Sequence, residues 1–191
     1  MGVTLVTGPV RSGKSRYVLD IAQRSSRRVS YVATAMRDGS DAEWESRLSR
    51  HIHDRPSTWD SIESASLNRD ALLALFREAL DEQCIVVDAL GTWLAARIAG
   101  GVDALERDFA AFETKMDEEA AELAQAMLES RAQVVVVAEE VGWDIVPVAA
   151  SARLFRDVLG RMKQRLAARA DAVFLVVCGF ALDLRALGST I

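Results

Sequence analysis

Residues Gly8–Ser15, "GPVRSGKS", have the types and spacing of a loop that holds phosphate. The stretch fits the pattern G-x-x-x-x-G-K-[ST], in which the glycines let successive backbone N–H groups point inward at an anion. Lys14 would place its charge on the β- and γ-phosphates, and the Ser15 hydroxyl could bind Mg²⁺. The motif therefore predicts binding of a nucleoside triphosphate with Mg²⁺, through a loop made of Gly8, Pro9, Val10, Arg11, Ser12, Gly13, Lys14 and Ser15.

The sequence on both sides of this loop agrees with that interpretation. An apolar run, Val3–Thr7, precedes it, and a stretch with helical spacing runs from Ser15 to about Arg24. A phosphate-binding loop needs a strand before it and a helix after it, because the helix N-terminus directs its positive dipole end at the anion. The alternative, a glycine-rich turn that holds nothing, would not require these flanks.

A carboxylate at the end of a second apolar run could complete the metal site. Asp88 closes the run "CIVVD". In enzymes with this loop, an aspartate at the end of a nearby strand helps to hold Mg²⁺. A solvated acid at a strand end is the alternative, and the loop motif favours the metal role together with Ser15.

The chain has only two histidines, His51 and His53, and three arginines surround them at positions 47, 50 and 55. Such a cluster suits phosphate oxygens. A neutral imidazole is also a good nucleophile near pH 7, so one histidine could accept a phosphate group. From residue types alone, a catalytic histidine and an ordinary surface pair both remain open.

The elements that must position these residues follow from the hydrophobic pattern. Valine-rich apolar runs without alternation are typical of strands buried on both faces of a parallel sheet. Helical spacing lies between them, and alternating strands and helices predict an α/β fold with a mostly parallel, doubly wound sheet. The predicted strands are Val3–Thr7, Val29–Thr34, Cys84–Asp88, Val134–Ala138 and Ala172–Cys178, and the predicted helices are Ser15–Arg24, Leu67–Leu80, Val102–Leu128 and Ser151–Ala168.

One segment, Met36–Asp60, is polar and poorly patterned. A functional loop or a short exposed helix would have this character. Because the segment contains both histidines, we expect it to carry part of the site.

Composition limits the classes of function. The 191 residues suit a single domain over residues 1–191, and the net charge of −5 gives no basic face for nucleic acid. No apolar run approaches the ~20 residues of a membrane span, and no signal peptide is visible, so we expect a cytoplasmic protein without membrane insertion. Both cysteines, Cys84 and Cys178, lie in apolar runs. We expect buried thiols rather than a disulfide or zinc ligands.

Further motifs follow the loop in a specific order. They read Y-[IV]-A-T-A at Tyr31–Ala35, D-x-E-M-x-x-R-I-x-x-H at Asp41–His51, R-P-x-x-W-x-x-x-E at Arg55–Glu63, a Trp-Leu pair at Trp93–Leu94, E-V-G-x-x-I-V-P at Glu140–Pro147, and F-R-D-x-x-G-R-x-x-Q-R-L-A at Phe155–Ala167. Through the order and spacing of these motifs, the chain resembles the bifunctional adenosylcobinamide kinase / adenosylcobinamide-phosphate guanylyltransferase family. The resemblance extends nearly from end to end. The chain departs from the family pattern at Pro9 (usually Gly), Trp44 (Met), Glu139 (commonly Asn) and Asp144 (commonly Gly).

The resemblance implies a RecA-like domain that assembles as a homotrimer and carries out two reactions. ATP or GTP would phosphorylate adenosylcobinamide, and GMP from GTP would then pass through a histidine to the phosphorylated corrinoid, giving adenosylcobinamide-GDP. His51 matches the histidine that carries GMP, and Lys14 is the second catalytic residue. Positions implied to contact nucleotide, besides the loop and Asp88, are Ala33, Thr34, Ala35, Ile52, His53, Asp54, Arg55 and Glu63.

Two other functions would keep part of this pattern. A P-loop kinase of another small metabolite would need Gly8–Ser15 and Asp88 but not His51. A nucleotide-binding module without enzymatic activity would bind the same ligand and form no product on a corrinoid.

Overall fold

A computed structural model describes residues 2–36, 41–53 and 55–189. Within these residues the chain forms seven strands, which are β1 Val3–Gly8, β2 Arg28–Ala33, β3 Asp60–Glu63, β4 Gln83–Asp88, β5 Gln133–Glu139, β6 Ala172–Val177 and β7 Phe180–Asp183. The helices of the described part are α1 Lys14–Arg24, α2 Ala42–His53, α3 Arg69–Arg77, α4 Leu90–Ala99, α5 Val102–Arg107, α6 Phe109–Glu129, α7 Ala150–Arg169 and α8 Leu184–Leu187.

All of these strands belong to one sheet, in the order β3-β2-β4-β5-β1-β6-β7. Every neighbouring pair is parallel except β6 and β7, which are antiparallel. Strand β5 therefore lies between β1 and β4, so the carboxyl end of β5 separates the ends that carry the phosphate loop and Asp88. The mostly parallel, doubly wound sheet predicted from the sequence is confirmed.

Apolar residues cover both faces of the sheet, which explains why its strands do not alternate. In β5, Val134 and Val136 point into a large cluster built with α3, α4, α6 and α7. Val135 and Val137 point into a smaller cluster on the opposite face, where Val18 and Ala22 of α1 pack. Successive residues of this buried strand thus point alternately into the two clusters.

The five predicted strands are present, and two short edge strands were not predicted. Strands β3 and β7 have four residues each, mostly exposed. Helix α4 was also missed, although Leu90, Leu94 and Ile98 are buried at four-residue spacing. The polar segment contains α2, in line with the short exposed helix that the sequence left open.

The predicted helix over Val102–Leu128 is two helices, α5 and α6. Asp108 breaks it with extended backbone angles and caps α6, because its side chain accepts a hydrogen bond from the Ala111 N–H. An aspartate at this position satisfies an N–H group that the new helix would otherwise leave unpaired.

The prediction for the cysteines is wrong at Cys178. Both cysteines are free, and Cys84 is buried in β4, but Cys178 is exposed. Strand β6 ends at Val177, one residue earlier than predicted, and Cys178 adopts a positive φ in the turn to β7. In the described ranges, none of the helices combines the length and the apolarity that a membrane crossing needs.

Candidate active site

The phosphate loop connects the end of β1 to the start of α1, as its motif requires. Gly8 approaches β6 so closely that a Cβ would lie 2.2 Å from the Val176 carbonyl oxygen. Gly13 has a φ of 102°, which side-chain-bearing residues rarely adopt. The loop is also braced from the β6–β7 turn, because the Gly179 N–H donates to the Ser12 carbonyl at 2.9 Å. The two motif glycines are therefore required by packing and by backbone conformation.

Lys14 is held inside this loop. Its side chain is nearly buried, with 8% exposed, and its Nζ donates to the Pro9 carbonyl at 2.8 Å. Burial lowers the pKa of Lys14, and the negative charges of Glu139 and Asp88 act in the opposite direction. A carbonyl is a weak partner for an ammonium group, so a phosphate oxygen could replace it at a net gain.

Asp88 lies at the carboxyl end of β4, beside the end of β2, where it pairs with Ala33. The Tyr31 hydroxyl donates a hydrogen bond to its Oδ2. Burial, followed by the Asp88 charge, raises the pKa of Tyr31 far above its usual value. The phenol therefore stays protonated and acts as a donor to the carboxylate.

Ser15 and Asp88 carry the oxygen donors that a magnesium site uses. Ser15 is in the first turn of α1, next to Lys14, and the Asp88 charge acts on Lys14. One hydroxyl and one carboxylate are a sufficient protein contribution, because Mg²⁺ keeps several waters and binds substrate phosphates for the rest.

Glu139 is a further carboxylate at this edge, and the sequence did not assign it to the site. It ends β5 opposite Gly8, and its Oε2 accepts the Gly91 N–H at 2.8 Å. Gly91 must lack a side chain, since a Cβ there would lie 2.4 Å from that oxygen. Burial raises the pKa of Glu139. Its position at the end of a buried strand could have marked it as a candidate site residue. Its neighbours, however, follow from the order of the strands in the sheet.

The implied nucleotide positions Ala33, Thr34 and Ala35 lie at the end of β2 and just beyond it. Thr34 is 2% exposed, and its Oγ1 donates to the Ala89 carbonyl at 2.6 Å and accepts the Ala89 N–H at 2.7 Å. These two hydrogen bonds connect Ala89, the residue after Asp88, to Thr34 just beyond β2. The Thr34 side chain thus supports the turn that follows Asp88.

The second group of implied residues lies around the end of α2. His51 is within that helix, but its side chain lies outside the described residues, and so does the whole of Asp54. Ile52 and His53 are exposed in the last turn. The Arg55 guanidinium stands 3.8 Å from the centre of the Tyr31 ring, and the hydroxyl of that ring reaches Asp88.

Glu63 is exposed at the end of β3 and pairs with Ala33 of β2. The carboxyl ends of β1, β2, β3, β4 and β5 therefore gather the loop, Asp88, Glu139 and Glu63 along one edge of the sheet, where ligands bind in open α/β sheets. The individual nucleotide contacts implied by the sequence stay predictions.

The chain is similar to known proteins along nearly its whole length. Residues 4–184 match the sequence profile of the family described as cobinamide kinase / cobinamide phosphate guanyltransferase. The chain is 36% identical over 190 residues to a bifunctional adenosylcobalamin biosynthesis protein of Salmonella typhimurium, covering 95% of this chain and 98% of that protein. The Escherichia coli protein of the same name is 35% identical, again over 95% of this chain and 98% of that protein. A bifunctional adenosylcobalamin biosynthesis protein of Pseudomonas aeruginosa is 31% identical over 95% of this chain and 96% of that protein.

Among solved structures, an ATPase of a bacterial type III secretion system superposes with a TM-score of 0.58. The match covers 99% of this chain and 59% of that one at 9% identity. At such identity the likeness concerns the fold alone. Together with the strand order, it confirms the predicted RecA-like P-loop fold.

Proposed function

The chain belongs to the cobinamide kinase / cobinamide phosphate guanyltransferase family, and from this premise we propose a two-stage reaction for it. The chain phosphorylates adenosylcobinamide with ATP or GTP. It then takes GMP from GTP onto His51 and transfers it to adenosylcobinamide phosphate, which gives adenosylcobinamide-GDP. The observation that carries the proposal is that the phosphate loop with Lys14 and the strand end with Asp88 lie at one edge of the sheet, with Arg55, just after α2, linked to Asp88 through Tyr31.

In the kinase step, the substrate hydroxyl oxygen attacks the γ-phosphorus. The bond from that phosphorus to the nucleoside diphosphate breaks, and the hydroxyl proton is lost to solvent or to a base. Lys14 and the N–H groups of Gly8–Ser15 would neutralise charge on the departing diphosphate, and this kind of preorganised stabilisation is often the largest contribution to catalysis. Ser15 and Asp88 would hold Mg²⁺, which when bound adds further neutralisation of the phosphates.

In the second stage, a neutral imidazole nitrogen of His51 attacks the α-phosphorus of GTP, forming a P–N bond as the bond to pyrophosphate breaks. A phosphate oxygen of the phosphorylated corrinoid then attacks the same phosphorus, and the P–N bond breaks. Splitting one displacement into two allows each to use a competent nucleophile. Arg55, four residues after His51, is linked to Asp88 through Tyr31, and this supports the use of one nucleotide by the loop and by α2.

The nucleotide contacts at Ala33, Thr34, Ala35, Ile52, His53, Asp54, Arg55 and Glu63 belong to this proposal, as does the single domain over residues 1–191. We also propose a cytoplasmic homotrimer. Phe180 of β7 and Leu187 of α8 are 76% and 73% exposed, and exposed apolar side chains of this kind support contacts between copies of the chain. Light scattering during size-exclusion chromatography should give three times the mass of the chain.

Product analysis tests the function. The protein is incubated with adenosylcobinamide, ATP and Mg²⁺, and GTP is added in a second stage. We expect a phosphorylated corrinoid first and a GDP-linked corrinoid after GTP. A corrinoid that stops at the phosphate would favour a kinase without guanylyl transfer. No corrinoid product at all would contradict the proposal.

A further inference from the structure

Tyr31 connects two parts of the site that are distant in the chain. It lies in β2 opposite Val86 of β4 and is 2% exposed. Asp88 is two residues beyond Val86, so both side chains emerge on the same face of the sheet. The Tyr31 hydroxyl reaches along that face to donate to the Asp88 carboxylate.

The ring of the same side chain holds the segment Arg55–Trp59, which follows α2. The Arg55 guanidinium is 3.8 Å from the ring centre, within the range of a cation–π contact. Trp59 is stacked on the ring, with centroids 6.5 Å apart and an interplanar angle of 27°. The Trp59 N–H also closes a turn by donating to the Pro56 carbonyl at 3.1 Å. One tyrosine thus contacts the proposed metal ligand and the segment after the proposed nucleophile.

The surroundings of Tyr31 make its hydroxyl a fixed donor. The side chain is buried in the smaller core cluster with its hydroxyl on Asp88, and a phenol of ordinary acidity keeps its proton at neutral pH. A hydrogen bond from a fixed donor favours one orientation of the carboxylate that accepts it. Partners of this kind, behind a metal ligand, commonly change metal affinity about 10- to 100-fold when they are removed.

We propose that Tyr31 is a positioning residue with two parts. Its hydroxyl orients Asp88 toward the metal of a bound nucleotide. Its ring fixes the Arg55–Trp59 segment on the face of the sheet where α1 packs. The inference rests on the proposed use of a metal-bound nucleoside triphosphate, but it does not require guanylyl transfer.

Metal binding without turnover tests the hydroxyl. Mn²⁺, which electron paramagnetic resonance detects, is titrated into protein saturated with the β,γ-imido analogue of GTP. Tyr31→Phe keeps the ring and loses the hydroxyl, and we expect Mn²⁺ affinity to fall about tenfold. Tyr17→Phe is the matched control, because Tyr17 is the other tyrosine of the chain and its ring packs on Phe174. Affinity within twofold of the unmodified protein in Tyr31→Phe would overturn this part.

Hydrogen exchange tests the ring. Tyr31→Leu removes the contacts with Arg55 and Trp59, and we expect exchange of residues 55–59 to accelerate about tenfold. Tyr31→Phe should leave it unchanged, since the phenyl ring remains. Helix α6 serves as an internal reference in the same experiment. Equal acceleration in α6, or none at residues 55–59, would show that the ring does not fix this segment specifically.

Neither measurement contains a corrinoid or depends on turnover. If product analysis finds no guanylyl transfer while Tyr31→Phe weakens Mn²⁺ binding, the proposed second reaction fails and the role of Tyr31 stands. The reverse combination removes the role of Tyr31 and leaves the proposed function intact.

Discussion

Replacing Lys14 by alanine should abolish both reactions and leave the fold intact. The ammonium group of Lys14 is nearly buried, and its partner in the described structure is the carbonyl of its own loop, at 2.8 Å. Burial lowers its pKa, which means that the folded protein binds this proton less tightly than the unfolded chain does. At neutral pH the charge therefore costs stability, and its removal should not unfold the protein.

The loss of activity follows from the charge that Lys14 would place on the departing phosphates. Removing one preorganised contact of this kind costs about 3 to 4 kcal/mol in the transition state, which corresponds to about 10²–10³ in rate. We expect the same loss in both reactions, because each displaces a negatively charged phosphate group from the same loop.

Initial rates of ADP formation with adenosylcobinamide, and of pyrophosphate release from GTP, measure the effect. Lys115→Ala is a matched control, since Lys115 is exposed on α6, and it should keep the original rates. Circular dichroism and thermal unfolding monitor the fold. A Lys14→Ala protein within tenfold of the original rates would refute the assignment of the loop, and a clear loss of stability would refute the argument from burial.

Three further substitutions have defined outcomes. Asp88→Asn should raise the Mg²⁺ concentration for half-maximal activity more than it weakens nucleotide binding, and an unchanged Mg²⁺ titration would return Asp88 to a structural role. Asp117 is bound by Arg165 and Arg161, which lower its pKa from 3.8 to about 2. Asp117→Asn should therefore cost about 1 to 2 kcal/mol at pH 7, after solvent screening, and this cost should disappear well below pH 2, because the stabilisation is lost as pH falls through the folded pKa. Burial raises the pKa of Glu139, so the folded protein favours its protonated form. Glu139→Gln should be at least as stable as the original protein at pH 7. Its advantage in the free energy of unfolding should shrink as the pH falls below the folded pKa of Glu139 toward 4.5. Chemical unfolding at several pH values measures the effects of Asp117→Asn and Glu139→Gln.

The parts of the molecule that local sequence determines were predictable. The loop motif and Asp88 can be recognised from their neighbours in the sequence. The five buried strands can be recognised because burial on both faces of the sheet requires runs of apolar residues. The break at Asp108 was also present as a local signal, because aspartate is a preferred helix cap. Edge strands β3 and β7 were not predictable in the same way, since short exposed strands lack a hydrophobic pattern.

The missed members of the site depend on contacts between distant segments. Glu139 lies beside Lys14 because β5 inserts between β1 and β4, an order that no local pattern states. Tyr31 reaches Asp88 across 57 residues of sequence. Such residues resemble ordinary core positions until the pairing of the strands is known.

The most direct test of the proposed function asks whether GMP becomes attached to His51. The protein is incubated with α-labelled GTP and Mg²⁺ and then denatured. The P–N bond should survive at alkaline pH and break in mild acid, where the nitrogen is protonated, and γ-labelled GTP should leave no label because that phosphate departs in pyrophosphate. His53→Ala, a matched change two residues away in α2, should retain the label, and His51→Ala should lose it together with guanylyl transfer. Label that persists in His51→Ala, or disappears with His53, would contradict the account.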